Sequence, residues 1–205
     1  MKVNVQQLRE LTNAGLIQDL TEAYETYMTP LTKEVVYQEG VDPFEVVKID
    51  QKVMGIPVLE SSVEAVQYIW IRTDWLENLQ LSPPKTMDDL LKISKAFTYD
   101  DPDQNGLHDT YGLALTQYIW DPAMGISGFM AGFGAYPEIW FENEGGEIEF
   151  GGIQPEVKDA LLALQEMYKS GQIDEEFMFM DGNQVRGKIT NGRIGMLYGE
   201  QWTSF

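Results

Sequence analysis

The sequence predicts an α/β fold, and three observations predict it. Short β-branched or aromatic runs alternate with segments of helical period from one end to the other. Capping and stop residues separate these segments cleanly. No internal repeat, heptad pattern or low-complexity tract breaks the alternation.

Taken in order, Val5, Leu8 and Leu11 recur at helical spacing, and Gly15 supplies a left-handed stop. A second helix is predicted over Thr21 to Tyr27, before Pro30, and the stretch around Glu39, Gly40, Asp42 and Pro43 reads as a loop. Val46 to Ile49 and Lys52 to Ile56 flank Asp50 and Gln51, which predicts a hairpin ending at Pro57. The run AVQYIWIR, Ala65 to Arg72, reads as a buried strand, followed by a short helix carrying Trp75, Leu76 and Leu79. After Pro83 and Pro84, Thr86 with Asp89 forms a capping-box start to a helix reaching about Phe97.

The densest polar turn, Asp100 to Asp109, leads into a strand over Tyr111 to Thr116. Asp121 and Pro122 suit the N-cap and first position of a helix over Met124 to Phe133. Paired glycines at 145–146 and 151–152 bracket a short strand, Glu147 to Phe150. Pro155 opens an amphipathic helix whose apolar stripe is Val157, Leu161, Leu164 and Tyr168, with Gly171 as its stop. The remainder reads as a helix from Gln184, a turn at Asn191-Gly192, a strand from Arg193 to Tyr198, and a loop holding Glu200 and Trp202.

Composition removes whole classes of function. With 33 acidic against 14 basic residues the formal net charge is −19, which repels a phosphate backbone and excludes nucleic acid as a partner. No cysteine is present, so disulfides, thiolate metal sites and cysteine nucleophiles are absent together. The single histidine, His108, rules out histidine-rich metal sites. A hydrophobic fraction of 43% supports a packed core. The least polar stretch, Pro122 to Pro137, is too short to span a bilayer, and no charged-then-apolar leader opens the chain.

One motif carries sharp chemistry. Asp101, Asp103, Asn105, Gly106 and Asp109 follow the pattern DxDxNGxxD. A calcium ion takes six to eight oxygens, and side chains at loop positions 1, 3, 5 and 9 converge with the position-7 carbonyl, here Leu107, when position 6 turns sharply. His108 then points outward. Position 12, where such loops carry a bidentate glutamate, is Gly112, so one ligand must come from elsewhere or from water. The competing account is a metal-free turn rich in Asp and Asn.

Five tryptophans and ten tyrosines suit stacking on flat ligand faces as well as packing. Trp70 and Trp75 lie in apolar elements and are assigned to the core. Trp120 and Trp202 each follow a strand, where ligand crevices of open α/β sheets lie, and are candidates for ligand contact. Trp140, beside Tyr136 in a glycine-bounded loop, is a weaker one. Paired carboxylates raise the possibility of glycoside hydrolysis, but no spacing singles out a pair.

Five stretches in this order bring a family into view: KVMGIPV (52–58), YIWIRTDWLENLQLSPPKTMDDLLKISKAF (68–97), DPDQNGLHDTYGL (101–113), GFGAYPEIW (132–140) and NGRIGMLYGEQW (191–202). The chain resembles the family 1 extracellular solute-binding proteins of bacterial ABC transporters, in particular lipoprotein-type oligosaccharide binders of the Paenibacillus and Bacillus kind. The resemblance implies a type II periplasmic-binding-protein-like fold, with residues 1–60 as a partial first lobe approaching a hinge at Gly55 to Pro57, and 61–205 as an incomplete second lobe. It implies a chain cut at both ends, lacking the signal and lipidated cysteine of an extracellular lipoprotein. It further implies sugar contacts from Trp120, Glu200 and Trp202, with Ser61 and Ser62 facing the cleft. The Asp101, Asp103, Asn105, Leu107 and Asp109 loop is similar to a structural calcium site of alginate-binding relatives. The expected partners are an oligosaccharide and an ABC permease, with no catalysis. The alternatives are a secreted carbohydrate-active enzyme or its calcium-stabilised accessory module, or a calcium-stabilised structural or adhesion fragment.

Overall fold

A computed structural model describes residues 2–38, 40–59, 65–143 and 145–204. The chain divides into two compact units, Met1–Ser62 and Val63–Phe205.

The first unit opens with α1 (Val5–Asn13), where Asn4 and Gln7 form a reciprocal capping box and Gly15, at φ 66°, turns the chain away. Helix α2 (Thr21–Tyr27) has the predicted bounds. Helix α3 (Pro30–Val36) follows, unassigned from sequence although Thr29 caps it and Pro30 occupies its first turn. A 3-10 turn, Pro43–Val47, is held by the Asp42 carboxylate, which accepts from the Phe44 amide at 2.9 Å. That turn shortens the predicted hairpin to β1 (Lys48–Ile49) and β2 (Lys52–Val53), joined through Asp50 and Gln51 at φ 50° and 63°. Leu8, Phe44, Val47, Val53 and Met54 form the core of this unit.

In the second unit the elements run β3 (Tyr68–Ile71), α4 (Thr73–Asn78), α5 (Met87–Tyr99), β4 (Tyr111–Leu113), α6 (Ser127–Gly132), β5 (Trp140–Glu142), β6 (Ile148–Phe150), α7 (Pro155–Lys169), α8 (Gly182–Thr190) and β7 (Ile194–Gly199). A three-stranded sheet in the order β3-β7-β4 has β7 antiparallel to β3 and parallel to β4. Trp75, Phe97, Phe129, Leu113, Met130, Met167 and Met196 belong to the main core, and Ala114, Met124, Met180, Val185 and Ile194 to a smaller cluster. Trp75 meets Phe97 edge to face, with ring centroids 5.2 Å apart.

The α/β prediction holds, with four local corrections. Strand β3 lies at the sheet edge and is only half buried. Trp140 belongs to β5, which pairs with β6 as a second hairpin. On α7 the buried positions are Ala160 and Met167, flanked by Val157, Ala163 and Leu164, whereas Leu161 and Tyr168 are exposed. The small Ala160 allows close approach to the core, and that rotates the helix away from the face its larger residues suggested.

Helix α6 begins at Ser127, so Asp121 and Pro122 cap nothing. The backbone before it is claimed by other partners. The Met124 amide donates to Tyr198 at 2.8 Å, the Ile126 amide donates to Ile119 at 2.8 Å, and Met124 sits at φ 59°.

Helix α5 keeps its predicted start. The Thr86 hydroxyl accepts from the Asp89 amide at 3.2 Å, and the Asp89 carboxylate accepts from the Thr86 amide at 3.2 Å. These contacts, with the Lys85 amide foremost, hold the Asp89 carboxyl below the usual carboxylate range. Thr86→Ala is expected to cost about 1 kcal/mol, read as a melting transition lowered by about 2–4 °C; an unchanged transition would contradict this role.

Candidate ligand-binding end and metal loop

In the described structure, the carboxyl ends of the parallel strands β4 and β7 and the start of antiparallel β3 lie at one end of the sheet, because Tyr68 pairs with Gly199 and Leu113 with Met196. Beyond β4 the chain makes a tightly tied loop. The Thr116 amide donates to Met124 at 3.2 Å, the Gln117 amide to Met180 at 2.9 Å, and the Asp121 amide to Tyr118 at 2.9 Å. The bond from the Met124 amide to Tyr198 then fastens this loop to the end of β7. Gly125 permits the closure, since a Cβ there would stand 2.2 Å from the Asp121 carbonyl oxygen.

This loop carries Trp120, 43% exposed. Just past β7, Glu200 immediately precedes the 3-10 turn Gln201–Ser204 and Trp202 lies within it. Trp202 is 44% exposed, and its indole Nε1 donates to Glu200 Oε2, which fixes the ring relative to the carboxylate. Gly199 lets the turn fold back closely, because its Cβ would meet Thr203 Oγ1 at 2.4 Å.

The structure therefore gathers Trp120, Glu200 and Trp202 at one sheet end. Ser61 and Ser62 lie outside the described residues. Tyr118 and Tyr68, both exposed, stand at the same end and were not singled out from sequence. The available signal for Tyr118 was its place two residues before Trp120 in a loop that follows a strand. Trp75 is fully buried as expected; Trp70 is partly buried, its Nε1 donating to the Gly199 carbonyl at 3.3 Å.

The acidic loop lies at the opposite end, ahead of Tyr111, whose partner in the parallel ladder is Ile194. Strand β7, with 6 residues, separates the two ends by about 16 Å at roughly 3.3 Å per residue. Asp101 accepts from the amides of Asn105 at 3.0 Å and Gly106 at 3.1 Å. Asn105 Nδ2 donates to Asp103 Oδ2 at 2.9 Å and to Asp109 Oδ1 at 3.3 Å, drawing the acids together. Asp109 also pairs with Arg193, and the Asn78 side chain donates to the Pro102 carbonyl at 2.8 Å, tying the loop to α4. Gly106 takes φ 78°, as position 6 requires.

Two observations bear on whether a cation fits. Asp103 Oδ1 is buried without a hydrogen-bond partner. Burial, reinforced by the nearby carboxylates of Asp101 and Asp109, pushes the Asp103 carboxyl up. Both are what an acid cluster shows when its charge needs a positive partner. Asp101, Asp103, Asn105, Asp109 and the Leu107 carbonyl supply the oxygen donor types that a hard, oxygen-seeking ion takes. Among the described residues no group of three His, Asp, Glu or Cys side chains forms a ready metal cage. Here the Asn105 oxygen accepts from the Leu107 amide at 2.7 Å and its amide nitrogen faces the acids, so metal binding would require that amide to turn.

Comparison with known proteins bears on this arrangement as a whole. A family model described as bacterial extracellular solute-binding protein matches residues 1–204. The chain belongs to this family. Among curated members, the polygalacturonan/rhamnogalacturonan-binding protein YtcQ of Bacillus subtilis is 34% identical over 156 residues, covering 75% of this chain and 30% of YtcQ. Lipoprotein LipO of the same organism is 33% identical over 141 residues, covering 62% of this chain and 25% of LipO. The chain thus spans about a third or less of these curated relatives.

Among solved structures of solute-binding proteins, the Streptococcus pneumoniae ABC-transporter substrate-binding protein FusA, an EF-hand mutant in complex with fructo-nystose, superposes with a TM-score of 0.79 at 22% identity, covering 97% of this chain and 42% of FusA. The alginate-binding protein AlgQ2, solved without calcium ion, superposes with a TM-score of 0.73 at 17% identity, covering 96% of this chain and 40% of AlgQ2. These likenesses identify the fold as type II periplasmic-binding-protein-like, in agreement with the expectation from sequence. Among the described residues no helix is long and apolar enough to cross a membrane.

Proposed function

We propose that this chain is part of the solute-binding component of an ABC importer, an extracellular protein anchored as a lipoprotein, which holds an oligosaccharide between two lobes and delivers it to a membrane permease. The observation that carries the reading is the hydrogen bond from the Met124 amide to Tyr198, which brings the Trp120 loop to the strand end bearing Glu200 and Trp202. Aromatic faces beside a carboxylate suit a sugar ring, with C–H faces to stack and hydroxyls to donate. In this reading residues 1–60 belong to the first lobe and 61–205 to the second, with Ser61 and Ser62 facing the cleft. Ligand shifts the population toward the closed form. The role is binding rather than catalysis. Family membership supports it, as do the names of YtcQ, LipO and FusA.

The test is calorimetric titration of the complete protein with a panel of oligosaccharides, alongside an assay for glycoside turnover. One-to-one binding without turnover is expected. Turnover abolished by a single carboxylate substitution would replace this reading with an enzyme, and absence of binding to every member by folded protein would end it.

The second part of the proposal is a structural calcium ion held by Asp101, Asp103, Asn105, Leu107 and Asp109. Its distance from Trp120 and Trp202 suits a stabilising role rather than ligand contact. That FusA was solved as an EF-hand mutant, and AlgQ2 without calcium ion, supports it. A site filled at one hundred times its Kd adds about 2.7 kcal/mol. Calcium is therefore expected to raise the melting transition by about 5 °C or more, and Asp103→Ala to abolish the rise. A wild-type transition indifferent to calcium would remove the ion from the proposal.

A further inference from the structure

A glycine ends the strand that presents the Glu200–Trp202 turn, and a tryptophan from the neighbouring strand reaches its carbonyl. Along β3, Ile69 and Ile71 pack on the main core, so Tyr68 and Trp70 face the other side of the sheet, opposite Gly199 and Leu197 of β7. Trp70 is level with Leu197, yet its indole extends two residues further along β7. There Nε1 donates to the Gly199 carbonyl at 3.3 Å.

That carbonyl sits where restraint matters. The Tyr68–Gly199 rung is the last of the ladder joining β3 and β7, and terminal rungs open first. Glycine has the softest backbone of any residue. A larger residue here would displace the turn, since a Cβ on Gly199 would stand 2.4 Å from Thr203 Oγ1 and 2.9 Å from Thr203 Cβ. The Gly199 oxygen and the Glu200 nitrogen belong to one planar peptide, so restraining the oxygen restrains the plane from which Glu200 departs. From Glu200 onward the turn is tied to itself. The Thr203 amide donates to the Glu200 carbonyl at 3.0 Å, and the Trp202 indole donates to the Glu200 carboxylate. Those internal bonds keep the turn's shape; the Trp70 indole, anchored on β3, adds a hold on its direction relative to the sheet.

Resting on the oligosaccharide-binding proposal above, we infer that Trp70 is a positioning residue for the sugar: its indole N–H, held on the Gly199 carbonyl, sets the direction in which Glu200 and Trp202 meet the ligand. It acts through that turn. Without the bond the turn samples a wider spread of orientations, which a bound ring must narrow again.

The experiment titrates the complete protein by calorimetry with gluco-, galacto- and fructo-oligosaccharides and an oligogalacturonide, then follows the tightest of these through a double-mutant cycle. Trp70→Phe keeps an aromatic ring on the strand and removes the N–H. It is expected to weaken binding about fivefold, the worth of one hydrogen bond. In a Trp202→Ala background the same change is expected to alter affinity by less than about twofold, because the ring it positions is gone. Melting transitions should shift equally in both backgrounds, and a purely structural role would move them alone. Benzothienylalanine at position 70 keeps the bicyclic shape with sulfur in place of the N–H, and should reproduce the loss. Two results overturn the inference while leaving oligosaccharide binding intact: wild-type affinity in either position-70 variant, or an equal loss with and without Trp202. Binding of no panel member by the folded wild-type protein defeats the underlying proposal, and this inference with it.

Discussion

Replacing Trp202 by alanine in the complete protein is expected to weaken oligosaccharide binding by about thirtyfold or more. Central aromatic anchors cost about 2 kcal/mol or more when truncated, and 1.4 kcal/mol is a factor of ten. The expectation rests on preorganisation as well as area. The indole is exposed at the sheet end, and its nitrogen is committed to Glu200, so the ring loses little further freedom when a sugar stacks on it. Trp202→Phe keeps a stacking face but loses the bond to Glu200, and should fall between the two. Calorimetry at fixed salt, with circular dichroism to verify folding, measures both. An alanine variant that binds like wild type would move the sugar away from this end of β7.

The second large effect concerns the frame rather than the ligand. In the middle of the sheet, a Cβ added to Gly195 would stand 2.2 Å from Phe97 Cδ2 and 2.7 Å from Trp75 Cε3. Both rings are fully buried and locked edge to face, so neither can swing into solvent. Gly195→Ala is expected to cost about 3 kcal/mol through overpacking, lowering the melting transition by about 6–12 °C. Retention of the wild-type transition would mean that the core yields more readily than its packing suggests.

What could be read from the sequence was local chemistry. Thr86 with Asp89, Pro155, Gly15 and Gly171 set helix ends through their own caps and dihedrals, and those ends fall where predicted. The acidic loop was legible for the same reason, because a fixed spacing turns sequence into proximity. The failures came where distant segments competed. Asp121 and Pro122 have the right chemistry for a helix start, yet the adjoining backbone at Met124 is bound to Tyr198, far along the chain. Nothing in AVQYIWIR reveals that its strand will lie at an edge, since that depends on which strands flank it. The turn of α7 was set by how closely Ala160 could approach the core, a tertiary matter that a stripe of larger residues conceals. Trp120 and Trp202 were chosen by a rule about strand ends; that they share one end follows only from the sheet order.

The antiparallel β3–β7 ladder has a mechanical consequence. Chain entering at Tyr68 and chain leaving at Gly199 meet at the same rung, and four rungs in all join the strands. A load that separates those two chain ends acts across the ladder and opens it one rung at a time from Tyr68 and Gly199, rather than shearing all four together. The rung that yields first adjoins Glu200 and Trp202, while the rungs nearer Ile71 and Met196 remain closed. Tension on the chain entering β3 is therefore felt at the Glu200–Trp202 turn before it reaches the core, which makes this end of the sheet the compliant one.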